Sequence, residues 1–252
     1  MDLRLTGKHV LVTGGSKGIG KGIAKGFIEE GAKVAVVARG EGALKQAKLE
    51  LPEVELIQAD LLSEKGREEA FQQFIGLFGE IDILINNVGG SNGGAAAETS
   101  LDLFKDAMNL NYYSAVHFSQ MALPYMKKNK AGSIVNVSSI FGREAGGKVT
   151  YNSAKAAMIS FTKSLADEVV KDGIRVNGIA PGSILHPSGN WQRRIEENPE
   201  KMKKFVEDQI PAGRFGTVEE IADTVVFMAS ERANWVVGAT LNVDGGQSRS
   251  NF

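Results

Sequence analysis

Short runs rich in Val and Ile alternate with longer segments of helical period along the whole chain, and this alternation limits the possible folds more sharply than any composition figure. His9 to Thr13, Lys33 to Ala38, Val54 to Gln58, Ile81 to Asn86, Ser133 to Ser138, Ile174 to Ala180 and Ala239 to Val243 have the length and β-branched content of strands. Between them, Gly18 to Glu30, Ser63 to Phe78, Leu101 to Lys128, Tyr151 to Lys171 and Val218 to Ser230 space their apolar residues as helices do. Strands joined by crossover helices give a parallel sheet covered on both faces. The predicted fold is α/β: a single doubly wound domain over residues 1–252, a seven-stranded parallel sheet with helices on both faces.

A chain of 252 residues buries about three quarters of its unfolded surface and needs no covalent staples. It has no cysteine, which excludes disulfides, thiol chemistry and cysteine metal sites, and nothing suggests an oxidising compartment. The formal net charge of -1 offers no global attraction to nucleic acid or anionic membrane. No apolar run approaches the ~18 residues of a spanning helix. Met1 to Thr6 carries charges where a signal peptide needs an apolar run. A cytoplasmic protein is expected, with neither nucleic acid nor membrane as partner. His9, His117 and His186 lie too far apart for metal-binding spacing, so no metal is expected.

In such sheets ligands bind beyond the carboxyl ends of the strands. After the first strand comes Thr13-Gly14-Gly15-Ser16-Lys17-Gly18-Ile19-Gly20, leading into a helix. Gly14 allows a tight turn, Gly18 a close approach of backbone to pyrophosphate, and Gly20 close packing of helix on strand. The helix N-terminus offers free N–H groups to a phosphate. Gly14, Ser16, Lys17, Gly18, Ile19 and Gly20 therefore form the predicted dinucleotide cradle. The second strand ends Ala38-Arg39-Gly40, without the acidic residue that bonds an adenine ribose in NAD proteins. Arg39 and Lys17 instead put cations where a 2′-phosphate would sit, which favours NADP(H) over the reading of two solvated surface charges. Asp60 and Leu61 follow the third strand, placed either to meet an adenine or to form a turn before a helix cap at Ser63. Asn86 and Asn87 have amides that can hold neighbouring strands, and Gly89 lets the loop lie against a ribose.

Tyr151 and Lys155 open the helical segment after the fifth strand. A spacing of four places phenol and ammonium on one helix face, roughly 5–6 Å apart at Cβ. A nearby cation lowers a tyrosine's pKa from about 10 and suits it to proton transfer. Alone, the pair reads as an ordinary amphipathic helix.

Thr13 to Gly20, Asp60, Asn86 to Gly89, Asn111, Ser138-Ser139, Tyr151 with Lys155, and Pro181-Gly182 together resemble, in order and spacing, the short-chain dehydrogenase/reductase family, most of all its 3-oxoacyl-(acyl-carrier-protein) reductase branch. The likeness runs on to Val243-Asp244-Gly245-Gly246. It implies a hydride-transferring enzyme with a carbonyl or alcohol substrate, possibly carrier-bound. Tyr151 would be the general acid or base. Lys155 would lower the pKa of Tyr151 and bond the nicotinamide ribose. Ser139 would polarise the carbonyl, with Ser138 an open alternative. Asn111 would help hold a water in the proton relay. Asn87, Gly89, Pro181, Gly182 and the backbone of Ile184 would line the cofactor. The sequence departs from the pattern at Val88, usually alanine, and at Ser183-Ile184-Leu185-His186, where a threonine near the phosphate is usual. Residues 184–216 would form a substrate lid, with a charged helix from Trp191 to Gln209 and with Trp191, Arg193 and Arg194 as substrate contacts. Small and apolar residues on a second face of the helix after Tyr151, among them Ala156, Ala157, Ser160, Phe161 and Ser164, suggest a subunit contact. The resemblance implies a homotetramer. A sugar or polyol dehydrogenase and a non-catalytic dinucleotide-binding regulator are the alternative readings.

Overall fold

All seven Val- and Ile-rich runs become strands. They are β1 (His9–Thr13), β2 (Lys33–Ala38), β3 (Glu55–Gln58), β4 (Ile83–Asn86), β5 (Gly132–Val137), β6 (Ile174–Pro181) and β7 (Thr240–Val243). The computed structural model describes residues 1–251. The strands make one parallel sheet in the order β3-β2-β1-β4-β5-β6-β7. The connections reverse direction between β1 and β4, and parallel strands put every carboxyl end on the same rim.

The helices are α1 (Gly18–Glu29), α2 (Glu41–Glu50), α3 (Glu64–Phe78), α4 (Leu101–Met108), α5 (Ser114–Asn129), α6 (Val149–Val169), α7 (Asn190–Glu197), α8 (Pro199–Gln209) and α9 (Val218–Ala229). Strand alternation sends neighbours to opposite layers. Val10, Val12, Val34, Val36, Ile83 and Ile85 join one core with Ile23 and Phe27 of α1 and Ile221 and Val225 of α9. Leu11, Ala35, Val37 and Leu84 point the other way, to Phe71 and Phe74 of α3, Phe118 of α5 and Leu165 of α6. Each such Val, Leu, Ile or Phe contributes about 1.5–3 kcal/mol when fully buried, so the sheet is a rigid platform for its rim.

Three elements differ from the sequence reading. The helix predicted from Leu101 to Lys128 is interrupted by a π-turn at Asn109–Tyr113. The helix predicted from Trp191 to Gln209 is two, α7 and α8. Asn198 ends the first and caps the second, its side chain accepting from Lys201 N at 3.0 Å, with Pro199 in the first turn. The polar helix α2 between β2 and β3 was not singled out, because it buries only Leu44 and Ala47.

Candidate active site

The glycine turn stands at the carboxyl end of β1. Gly14 N donates to Val37 O at 2.8 Å, which fixes the turn to β2. Its other side is tied to β4: Asn87 Nδ2 donates to Thr13 O at 2.9 Å and Gly14 O at 3.1 Å. Thr13 Oγ1 accepts from the backbone N–H groups of Asn87 at 3.0 Å and Val88 at 3.1 Å. Asn87 thus works as the clamp on the turn. A Cβ on Gly20 would stand 2.3 Å from Gly14 O and 2.4 Å from Asn87 Nδ2, so only glycine lets α1 start this close. The first N–H groups of α1 have no side-chain cap, since Lys17 precedes them in extended backbone without one. Ser16 is buried, and Ile19 packs on the core. Val88, the departure from alanine, closes directly on Gly14.

Arg39 and Lys17 are both exposed, and among the described residues neither forms a salt bridge. Gln58 donates to the carbonyl of Arg39 at 3.1 Å, steadying the end of β2. Asp60 closes a turn, with Oδ1 accepting from Leu62 N at 3.1 Å, while Ser63 caps α3. The side chain of Leu61 lies in the core and its carbonyl accepts from Arg67.

Asn86 crosses from β4 to β5 to bond Asn136 Oδ1 at 2.9 Å, as its amide was expected to do. Beyond it the loop bends to Gly89, where a Cβ would stand 2.6 Å from Asn111 Oδ1 and 3.4 Å from Lys155 Nζ. The missing side chain is what lets these two groups converge. Asn111 sits in the π-turn, fully buried. Its oxygen accepts from Gly90 N at 3.0 Å and its amide donates to Gly90 O and Ala107 O, both at 2.9 Å. The extra residue of a π-turn re-aims a side chain within a helix, which explains why a helix-unfavourable Asn stands there. The resemblance gives Asn111 a water-holding role in a proton relay, and its amide also fastens the Gly89–Gly90 loop.

Lys155 Nζ lies 2.8 Å from Val137 O and 5.6 Å from the centre of the Tyr151 ring. Ser139 is close enough to the Tyr151 hydroxyl to favour its phenolate, and its Oγ accepts from Phe141 N at 3.2 Å. Ser138 faces the other way, donating to Lys155 O at 3.1 Å. The chain stays extended just beyond β5 and so sends the two side chains opposite ways, and it is Ser139 that shares the site with Tyr151. The spacing leads one to expect that Lys155 lowers the Tyr151 pKa; burial acts in the opposite direction and pushes the phenol up, partly opposed by Ser139. Burial also lowers Lys155 to about 7.

Pro181 ends β6 and Gly182 packs against Asp244. Ile184 bridges to Gly216 and is buried, so both ends of the 184–216 segment meet there. Of the three lid residues expected to touch substrate, two are engaged within the lid's aromatic stack. Trp191 stacks on Phe205 at 4.7 Å and meets Phe215 at 5.3 Å, and Arg194 lies over Trp191 at 4.8 Å. Arg193 faces Glu197 at 3.6 Å. Two groups of His and carboxylate residues come together, which sequence spacing had not indicated. His9 joins Glu80 and Asp82, and His117 joins Glu64 and Glu68. Lys8 already bonds Asp82 at 3.1 Å and Arg67 donates to His117 at 3.2 Å, cationic partners that oppose a metal ion.

Comparison with known proteins agrees with this geometry. Residues 14–248 match the family model described as Enoyl-(Acyl carrier protein) reductase. A 3-oxoacyl-(acyl-carrier-protein) reductase of Chlamydia pneumoniae is 36% identical over 251 residues, covering 98% of this chain and 99% of that protein. Among solved structures, the L-sorbose reductase of Gluconobacter frateurii, complexed with NADPH and L-sorbose, superposes with a TM-score of 0.93 at 33% identity, covering 99% of this chain and 100% of that one. The RhlG/NADP complex of Pseudomonas aeruginosa gives a TM-score of 0.90 at 33% identity over 98% of both chains. With the family match covering nearly all of the chain, and the glycine turn and the Ser139, Tyr151 and Lys155 cluster on one rim, this protein belongs to the short-chain dehydrogenase/reductase family.

Proposed function

We propose that this protein is an NADPH-dependent carbonyl reductase, of the 3-oxoacyl-(acyl-carrier-protein) reductase kind, in which Tyr151, Ser139, Lys155 and Asn111 form the proton-handling site. An NADP-dependent oxidoreductase is what its family and its relatives make it. The observation that carries the residue assignment is a continuous run of contacts along the rim. It leads from the glycine turn through Asn87 to Gly89, then to Asn111 and Lys155, and so to Tyr151 and Ser139.

The residues of the rim suit a dinucleotide. The uncapped N–H groups of α1, with Gly14, Ser16, Gly18, Ile19 and Gly20, make the phosphate seat. Arg39 and Lys17 hold the 2′-phosphate, Arg39 through its bidentate fork. Asp60 and Leu61 border the adenine, and Asn87, Gly89, Pro181, Gly182 and the backbone of Ile184 border the nicotinamide half. When bound, NADPH supplies the hydride that reduces the carbonyl carbon. Ser139 donates to the carbonyl oxygen and steadies the negative charge that grows there. The Tyr151 phenol gives its proton to that oxygen and completes the alcohol. Lys155 stabilises the phenolate left behind and Asn111 keeps its loop in place.

The test is Tyr151→Phe. Turnover should fall by about 10²–10⁴-fold while NADPH affinity, read by protein fluorescence, stays near the wild-type value. Retained turnover would assign proton transfer to another group. A panel of 3-oxoacyl thioesters, small ketones, quinones and ketoses identifies the substrate class. The sorbose reductase neighbour favours a polyol or ketose reading, which activity on ketoses without activity on thioesters would establish. The same proposal includes a single-domain protein of the cytoplasm and a homotetramer. The exposed Ala156, Ser160 and Ser164 of α6, with Leu101 of α4 and Tyr113 of the π-turn also exposed, support a subunit contact. Among the described residues no helix is long and apolar enough to cross a membrane.

A further inference from the structure

The lid carries a histidine that the reaction above does not use. His186 follows β6, and its ring rests against Gly18 at the start of α1: a Cβ on Gly18 would lie 2.8 Å from Cε1 and 2.9 Å from Nε2. Its opposite contact is Gly189, where a Cβ would lie 2.8 Å from Nε2. The ring is therefore held between two residues that lack side chains, one from the glycine turn and one from the lid. Its Nδ1 is 3.3 Å from Ser188 Oγ.

The groups facing this ring do not welcome another positive charge. Lys17 faces it from the glycine turn, and Ser188 is its polar neighbour in its own loop. Burial first, then the Lys17 charge, keep the imidazole below its usual pKa. Beside it lie the uncapped N–H groups of α1, at the positive end of the helix. Cation, ring and N–H groups all converge on the seat assigned above to phosphate, and an anion there reverses the electrostatics felt by the ring.

We propose that His186 is a cofactor-binding residue. Its imidazolium donates to an oxygen of the pyrophosphate of NADP(H), so that binding takes up a proton at the ring and fastens the first turn of the lid to the glycine turn. This rests on the dinucleotide reading of the rim. The added affinity is full below the pKa of the free ring and is lost as pH rises through the higher pKa of the bound ring.

The test compares wild type, His186→Gln and His186→Phe; the last keeps a flat ring between the two glycines but carries no proton. NADPH affinity is measured by fluorescence from about pH 5.5 to 8, and proton uptake by calorimetry in buffers of different ionisation enthalpy. Titration of Lys155 and of the 2′-phosphate is common to all three proteins and cancels in the comparison. Wild type should bind about tenfold more tightly than either variant near pH 6, converge with them near pH 8, and take up more protons on binding. Equal affinities and equal proton uptake in the three proteins would overturn the role of His186 and leave the dinucleotide reading standing. Wild-type protein that binds no NADPH at any pH would overturn both.

Discussion

Two ends of one rim handle charge in opposite ways. At the nucleotide end Lys17 and Arg39 stand in solvent, so their charges are cheap to keep and their interactions are screened. At the reaction end Lys155 is 2% exposed and stands beside Tyr151, and burial moves both titrating groups away from their charged forms. The difference shows that one sheet edge can hold a solvated recognition site and a dry proton-transfer site some strands apart. Substitutions in the dry half should cost rate or stability, and those in the wet half should mainly redirect selectivity.

The sharpest break in that contrast comes from the adjacent serines. Ser139→Ala removes the group that meets Tyr151 and should lower turnover by about 10²–10³-fold. Ser138→Ala loses a hydrogen bond to Lys155 O and should cost about 1 kcal/mol of stability, with a much smaller effect on rate. Steady-state kinetics and thermal melts of the two variants side by side check this. Equal rate losses would mean that the two side chains are not divided as the extended chain beyond β5 divides them.

Next in size is the cost of burying Lys155. Its folded pKa of about 7 lies below the ordinary lysine value of 10.5. Between these values the unfolded chain holds a proton that the folded one has released, so stability should rise with pH by about 1.4 kcal/mol per unit. Below about pH 7 both states are protonated and this contribution levels off at its most unfavourable. Lys155→Met, close in length and apolar, should flatten the profile between about pH 7 and 9 and melt higher than wild type near pH 7. Chemical denaturation across that range reads both effects; parallel profiles would show that the pocket does not desolvate the ammonium as strongly as its burial indicates.

Much of this molecule was legible in its sequence. All seven strands fall within two residues of their predicted starts and ends, because Val and Ile runs in a parallel sheet carry their own pattern. The glycine turn was readable too, since Gly20 leaves room for nothing but hydrogen. The break at Asn198-Pro199 carried a readable signal, a capping residue before a first-turn proline, but the charged pattern on either side ran through it. The π-turn around Asn111 had no such signal, because it depends on a contact with Gly90, 21 residues away. Nor did the sequence show how strongly burial acts on Tyr151 and Lys155. Spacing gives distance along a helix, while desolvation depends on everything packed around it.

At the solvated end, Arg39→Asp should shift preference from NADPH toward NADH. The loss of a phosphate contact and the gain of a ribose-bonding acid change the affinity ratio by on the order of tenfold or more. The stability of the protein should change little, since the side chain of Arg39 is exposed. Affinities for both cofactors, measured at low and moderate salt, check the reading. An unchanged ratio would remove Arg39 from the 2′-phosphate site and with it the functional half of the contrast.

The smallest effect should come at Asp60, where turn and cofactor roles overlap. Its Oδ1 accepts from Leu62 N at 3.1 Å, a bond that asparagine can reproduce and alanine cannot. Asp60→Ala should therefore cost about 0.5–1.5 kcal/mol of stability, and Asp60→Asn should restore most of it. NADPH affinity separates the other role, because the carboxylate charge is absent from both variants. If affinity follows stability, recovering in Asn, the turn alone is what positions the adenine. If it falls by the same few-fold in both, the charge itself touches the cofactor, and the wet end of the rim contains an anion as well as its two cations.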